Sequence, residues 1–426
     1  MSETGAITLT LPQAPQDEFV TLRGAARERF LARGWPGRGD ESYKYTPLSA
    51  LAGQDWPSPP RPPHPNGAPV LPPAIGKRTL WVDGYLMTGE GGAPVQTFDR
   101  DTPAPAGFDA LLGRLAPADD PVVAINTALF DHGARIHLPD GAAPAASVEL
   151  PPVELLFASA QRDTAAATHA RLVVELGRDS RLVLIERHAG AAADTLNSRV
   201  AEISLATGAE LLHIRLNQAG ANTRLLAHTS VRAAAGAHYR CLNLDLGARL
   251  SRASFVVDLA GDDAGTALSG LALLGGKQHA DADVRVVHDA LRTRSRQNFR
   301  AVLDGRSRGV YTGRVLVCAG AQKTDSAQSS ANLLLSPGAQ ADVRPQLEIY
   351  TDDVICNHGA TTGALDPDAL FYLESRGIGA EAARRMITFG FAIHSLALLD
   401  DAPLRKTVAV LLARHMQVPP EVLEWL

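Results

Sequence analysis

From Val122 onward, apolar and polar positions alternate in short runs. These fall at Val148–Leu150, Val153–Phe157, Ala170–Leu176, Arg181–Ile185, Val200–Leu205, Glu210–Leu216, Thr223–Ser230, His238–Leu246 and Ser254–Leu259. Runs of this length, bounded by Gly, Asp and Asn, predict strands joined by tight turns. The turn markers Gly177, Gly208, Gly236 and Gly265 lie 31, 28 and 29 residues apart, and Gly309 and Gly338 repeat the interval of 29. A repeat of that size is the signature of a solenoid, whose single rungs bury too little surface to stand alone and must stack. No helical periodicity separates the rungs, which argues against βαβ units. The fold class predicted is therefore mainly β, a right-handed parallel β-helix of eight or nine rungs over residues 121–365.

The flanks carry a different period. Phe19, Leu22, Ala26 and Phe30 recur at helical spacing between charged residues, and Gly34-Trp35-Pro36-Gly37 closes that helix. Nine of the 28 prolines fall between Pro57 and Pro73, which predicts an extended connector. A strand is expected at Thr79–Leu86, and residues 1–120 read as an N-terminal helical region. At Asp366 the pattern turns helical again: Asp366 can cap, and Pro367 suits the first helical position. Helices are expected up to Gly377, over Ala380–Leu399 and over Leu404–Met416, with Pro419-Pro420 opening a last turn. Residues 366–426 are thus a C-terminal helical domain, expected to cap the last rung and cover its open edge.

Composition narrows the function classes. Aromatic residues make up only 5% of the 426, which suits thin stacked layers, and a net charge of -5 argues against general nucleic-acid or anionic-membrane binding. Three widely spaced cysteines, Cys241, Cys318 and Cys356, form neither a disulfide framework nor a CxxC knuckle and suggest a reducing, cytoplasmic setting. The N-terminal residues lack a signal-peptide pattern, and Ile387–Leu399 is too short and too polar to span a bilayer.

The sharpest chemical feature is Cys356-Asn357-His358, where a thiol and an imidazole stand two residues apart. On an extended strand they share a face and could approach one metal ion. Iron or a cluster wants about four ligands, so two donors make a corner that a second chain must complete. The plainer alternative is a buried thiol and a hydrogen-bonded histidine in a solenoid wall. Cys241 and Cys318 read as core or wall thiols. Gly305-Arg306-Ser307-Arg308-Gly309 matches GxSxG, but a strand follows it where a nucleophile elbow needs a helix. Arg292, Arg294 and Arg296 lack interleaved aromatics and read as a solvated wall or an acidic-partner surface. Gln322–Ser326 and Gln328–Asn332 suit hydrogen-bonded ladders between rungs. No phosphate-cradling loop is present.

The run QKTDSAQSSANLLLSPGAQADVRPQLEIYTDDVICNHGATTGALDPDALFYLESRGI resembles the signature of the SufB/SufD family, β-helical scaffold proteins of the Suf iron–sulfur cluster assembly machine. The likeness is dense from about Asp304 to Gly390 and extends weakly to Glu41-Ser42-Tyr43-Lys44-Tyr45-Thr46-Pro47-Leu48. Within the family it is similar to the SufD branch, because the SufB branch is longer and reads His-Glu-Ala-Thr where this chain has His358-Gly359-Ala360-Thr361. The resemblance implies a non-catalytic scaffold subunit that pairs with SufB and docks the SufC ATPase, with self-pairing left open when SufB is absent. It implies no stably bound cofactor. His358, with Cys356 as a lesser contributor, would hold a transient iron or nascent Fe–S cluster at the SufB interface. SufC would dock on the C-terminal helices, with Leu370, Phe371, Tyr372, Phe389 and Phe391 as docking or packing residues. Two rivals compete: a β-helical carbohydrate-active enzyme, which needs carboxylates clustered over one groove, and a SufB-like main scaffold, which needs more cysteines.

Overall fold

Ten- and eleven-residue strands rich in Val, Leu, Ala and Thr predominate from Ala166 to Gly363, and each lies in parallel register on the strand one rung away. The computed structural model describes residues 11–62, 71–89, 94–142, 152–190 and 194–419. Two sheets form its walls, one of ten strands and one of nine, and the chain passes from one wall to the other at every turn. Beyond the first step, Cα partners are 26 to 32 residues apart, from Arg224↔Leu250 to Arg308↔Gln340. The result is a parallel β-solenoid of about seven turns. This is fewer than the eight or nine expected: residues 121–129 are helical, the first solenoid strand is His132–Leu138, and several steps exceed 29 residues, from His132↔Ala170 at 38 to Arg308↔Gln340 at 32. The expected strand at Val148–Leu150 lies outside the described residues, as do Pro420 and Trp425.

A column of left-handed residues explains the repeat. Asp179, Gly208, Gly236, Asp263, Arg292 and Lys323 all have φ between 56° and 69°. At the first five of these corners the residue's N–H donates to the carbonyl just before the left-handed residue of the next rung, as in Gly208 N to Ala235 O at 2.9 Å and Asp263 N to Leu291 O at 3.0 Å. Glycine takes this conformation without Cβ strain. That is why Gly208 and Gly236 mark the period, while the other corners hold Asp, Arg or Lys. Arg292 is further tied to Asp263 at 2.8 Å.

Helical regions lie on opposite outer walls. Helix α1 (Val20–Arg33) and helix α2 (Pro121–Leu129) pack with Trp35, Tyr43, Leu48 and Trp56 on the nine-stranded wall, against Leu196 and Leu226. Sequence reasoning missed α2. All nine of its residues are buried, so no amphipathic stripe distinguishes it from a core strand. Its start signal was present, since Asp120 Oδ1 accepts from Val122 N and Val123 N ahead of Pro121. The expected strand near residue 79 is a hairpin, Lys77–Val82 and Tyr85–Gly89, turning at Asp83-Gly84 with both φ positive. Its first strand pairs in parallel with Val153–Ser159 and so extends the ten-stranded wall.

The C-terminal helices correct the capping expectation. Helix α3 (Pro367–Ser375), helix α4 (Ala380–Ile393) and helix α5 (Ala402–His415) follow the last strand. Instead of covering that strand, α4 and α5 fold back along the outside of the ten-stranded wall. There Phe389, Ala392, Leu396, Val408 and Leu412 pack on Ile214, Leu242, Leu244, Leu271 and Val302. The physical reason is apolar area. Those outward strand positions are branched and aliphatic over five rungs, whereas the outward positions of Val354–Gly363 are Ile355, Asn357, Gly359 and Thr361 and offer little to bury.

Candidate functional site: the open end of the solenoid

The last two strands, Gln340–Ile349 and Val354–Gly363, each pair on one side only, with Arg308–Val317 and Thr324–Leu334 respectively. Among the described residues nothing pairs with their other edges, the arrangement onto which another strand can add. Apolar side chains stand exposed beside them: Ile349, Tyr350 at 64% and Ile355 at 68%. A parallel sheet edge of this length with exposed aliphatic residues is a liability in an isolated chain, and pairing with another chain removes it.

Alternation decides where the expected ligands point. On Val354–Gly363, Val354 and Cys356 pack against the core between the two walls, so His358 shares that inward face. The lumen is open at this end, and His358 is exposed while Cys356 is half-buried. In register, Cys356 stacks on Ser326 and His358 on Gln328. Partial burial pushes the Cys356 thiol above its ordinary pKa, outweighing a Ser326 backbone N–H that favours the thiolate. The thiol is therefore protonated at neutral pH, and a metal would have to displace that proton. Among the described residues no group of three or more His, Cys, Asp and Glu is placed to hold a metal ion. The two residues thus offer a corner with too few donors for a closed shell. Of the other thiols, Cys241 is buried in the lumen, where enclosure raises its pKa to about 11, and Cys318 is half-buried in the nine-stranded wall.

The five expected docking residues separate. Phe371, 72% exposed, and Tyr372 stand out on α3, a helix with no buried residue, and Leu370 is half-buried beside them. Phe389 is only 4% exposed and lies between α4 and the wall, so it is a packing residue with no surface to offer a partner. Phe391 is half-buried under the Arg300 guanidinium, 4.9 Å from its ring centroid. The polar tract forms the expected ladder, with Ser295 Oγ donating to Ser326 Oγ at 2.8 Å and Thr293 bonded to Thr324 at 3.3 Å. Ser307 of the GxSxG pattern is fully buried at a corner, and the strand Arg308–Val317 follows it. Arg292 and Arg296 are engaged by Asp263 and Asp325 of neighbouring rungs.

Sequence reasoning missed a charged lumen. Glu186 of the ten-stranded wall and Arg199 of the nine-stranded wall form an ion pair across the interior, and both are fully buried. His188 Nε2 approaches Glu186 Oε1 at 2.8 Å, His213 Nε2 lies 3.3 Å from its Oε2, and Arg215 sits at 3.5 Å. Burial, reinforced by repulsion from Arg215, lowers the His188 pKa to about 3, so the ring is neutral. Nothing local in Glu186-Arg187-His188 signals burial. Only the strand phase places Glu186 and His188 inside.

The fold and the site define a parallel β-solenoid whose last two strands have one unpaired edge each among the described residues, with a thiol and an imidazole on the inward face of the last. The comparisons with known proteins say which family this is. Residues 157–391, more than half of the chain, match the model described as SUF system FeS cluster assembly, SufBD core domain, and the chain belongs to that family. It is 27% identical over 404 residues to the iron–sulfur cluster assembly protein SufD of Escherichia coli, covering 91% of each chain. It is 26% identical over 412 residues to an iron–sulfur cluster assembly SufBD family protein of Synechocystis, covering 91% of this chain and 88% of that one. The chloroplastic protein ABCI7 of Arabidopsis thaliana is 26% identical over 402 residues, 90% and 83% of the two chains. The expected family and its SufD-like character are thereby shown, as is a role in iron–sulfur cluster assembly. Among the described residues no helix is long and apolar enough to cross a membrane.

Proposed function

We propose that this chain is a non-catalytic scaffold subunit that pairs with a SufB-type chain through the open end of its solenoid and docks a SufC-type ATPase on its C-terminal helices. The observation that carries the reading is the pair of half-paired strands Gln340–Ile349 and Val354–Gly363, with His358 and Cys356 at the same mouth. The partner's strands would continue both walls and supply the donors that the corner lacks. Iron and sulfide are substrates in this scheme, held transiently between the subunits. α3, with Phe371 and Tyr372 exposed, supports docking at the C-terminal region, and the end of the solenoid lies close behind it in sequence. The setting expected for this work is the cytoplasm.

The carbohydrate-enzyme rival needs paired acids over an open groove. Glu186 and Glu202, the buried lumen and wall acids, are instead sealed by arginines, which counts against that reading. Co-expression with SufB- and SufC-type partners, followed by affinity capture, tests the proposal. Ile355→Asp should abolish capture of the SufB-type chain and leave the SufC-type chain bound, and Phe371→Asp should do the reverse. In the captured complex, His358→Ala should leave assembly intact and reduce iron loading. Undiminished capture by the Ile355 variant would overturn the pairing surface.

A further inference from the structure

One buried polar group at the mouth has no partner. Gln328 is 2% exposed, yet neither its Oε1 nor its Nε2 makes a hydrogen bond among the described residues. Leaving a buried amide unpaired is destabilising, so its retention calls for a partner. The lumen does not require an amide at this level, because the stacked positions two and three rungs back are Leu268 and Cys241. Gln297, one rung inward, is anchored by Tyr311 Oη, which donates to its Oε1 at 2.7 Å. Gly313 packs close on the other wall: a Cβ there would lie 2.4 Å from Tyr311 Oη and 2.9 Å from Gln328 Nε2. The Gln328 side chain is thus hemmed in by Gln297, Tyr311 and Gly313, and His358 stacks on it in register from the side of the mouth.

An imidazole that binds a metal through one nitrogen commonly donates its other N–H to an acceptor, which fixes both tautomer and ring plane. Among the described residues no side-chain acceptor other than Gln328 occupies the rung beneath His358 in that column. We propose that Gln328 is the positioning residue for His358. Its Oε1 accepts the ring N–H, so the lone pair of the other nitrogen is presented at the lumen mouth to a borderline divalent cation such as ferrous ion. The proposal rests on the reading of His358 as a metal-binding group. It assigns the orientation of that ligand to this chain, through a bond that is not made in the structure and is reached by side-chain rotation of His358 over Gln328.

The test has two readouts. In the full chain alone, labelled at histidine nitrogens, the ring signals lost in His358→Ala identify His358. A single tautomer is expected in the wild type, and a mixture in Gln328→Leu and Gln328→Met. In the complex with the SufB-type partner, Co2+ serves as the spectroscopic probe. Gln328→Leu should weaken its binding about 10- to 100-fold, and Gln328→Glu, which keeps an acceptor at that position, should restore most of it. Gln328→Met covers the case in which the leucine variant fails to fold. If the Gln328 variants keep the wild-type tautomer and affinity while His358→Ala abolishes binding, the positioning role is wrong and the metal-binding reading stands. If His358→Ala binds Co2+ as tightly as the wild type, the metal-binding reading itself fails.

Discussion

At the scale of single residues, the lumen charges and the Cys356–His358 pair at the mouth follow from one rule, strand alternation, applied with different amounts of warning. Cys356 and His358 were legible as a pair because spacing of two on any strand puts them on one face. Glu186 was not legible, because only the register shows whether a charged position faces water or the lumen. Its burial makes it a sensitive test. Glu186→Gln keeps the shape but leaves Arg199 and Arg215 without a countercharge, and breaking such a pair costs about 3–5 kcal/mol. Urea denaturation should show a loss of that size, and a change below about 1 kcal/mol would mean that the carboxylate does not balance the arginines. The C-terminal aromatics give a matched pair. Phe389→Asp buries a charge between α4 and the wall and should lower the melting temperature sharply, while Phe371→Asp on exposed α3 should leave it unchanged.

At the scale of elements, strands and amphipathic helices were readable and wholly buried or folded-back ones were not. α1, α3, α4 and α5 fall within a few residues of their expected limits, since stripes, Asp caps and Pro at the first position are local signals. The path of α4 and α5 was misread because it depends on which outer wall offers more aliphatic area, a sum over strands far apart in sequence. Glycine substitutions separate local from tertiary demands. Gly133 has φ +152°, and a Cβ there would lie 1.8 Å from the Arg171 carbonyl oxygen of the adjoining strand. Gly133→Ala should therefore destabilise by about 1–3 kcal/mol. Gly24 in α1 has nothing within 4 Å of a Cβ, so Gly24→Ala should stabilise by up to about 1 kcal/mol. Thermal melts of the two variants should move in opposite directions.

At the scale of the whole molecule, neutral imidazoles that acid must charge are buried in the lumen, as His188 and His288 are, and between the nine-stranded wall and the N-terminal region, as His169, His228 and His279 are. Burial is the leading cause of depression in each case, bringing His188 to about 3 and His169, His228, His279 and His288 each to about 4. These rings titrate near 6.5 when unfolded, so between that value and the folded pKa the unfolded chain binds more protons. Stability is therefore full above about pH 6.5 and falls steadily as pH drops toward 4. Urea midpoints measured from pH 7.5 to 4.5 should decline across that window, and a flat profile would contradict the burial of these rings. The low aromatic content and the repeat of about 29 residues announced this stacked architecture, but the asymmetry of its two ends appears only in three dimensions. Among the described residues, antiparallel strands extend both walls at the N-terminal end, Tyr85–Gly89 on one and Val95–Phe98 on the other, while the C-terminal end stops on two parallel strands. Hydrogen exchange at that open end, with and without a SufB-type partner, tests the central claim most directly. Slowed exchange of the amides in Gln340–Ile349 and Val354–Gly363 on complex formation is the expected result. Unchanged exchange in both strands, with new protection confined to the outer walls, would contradict it.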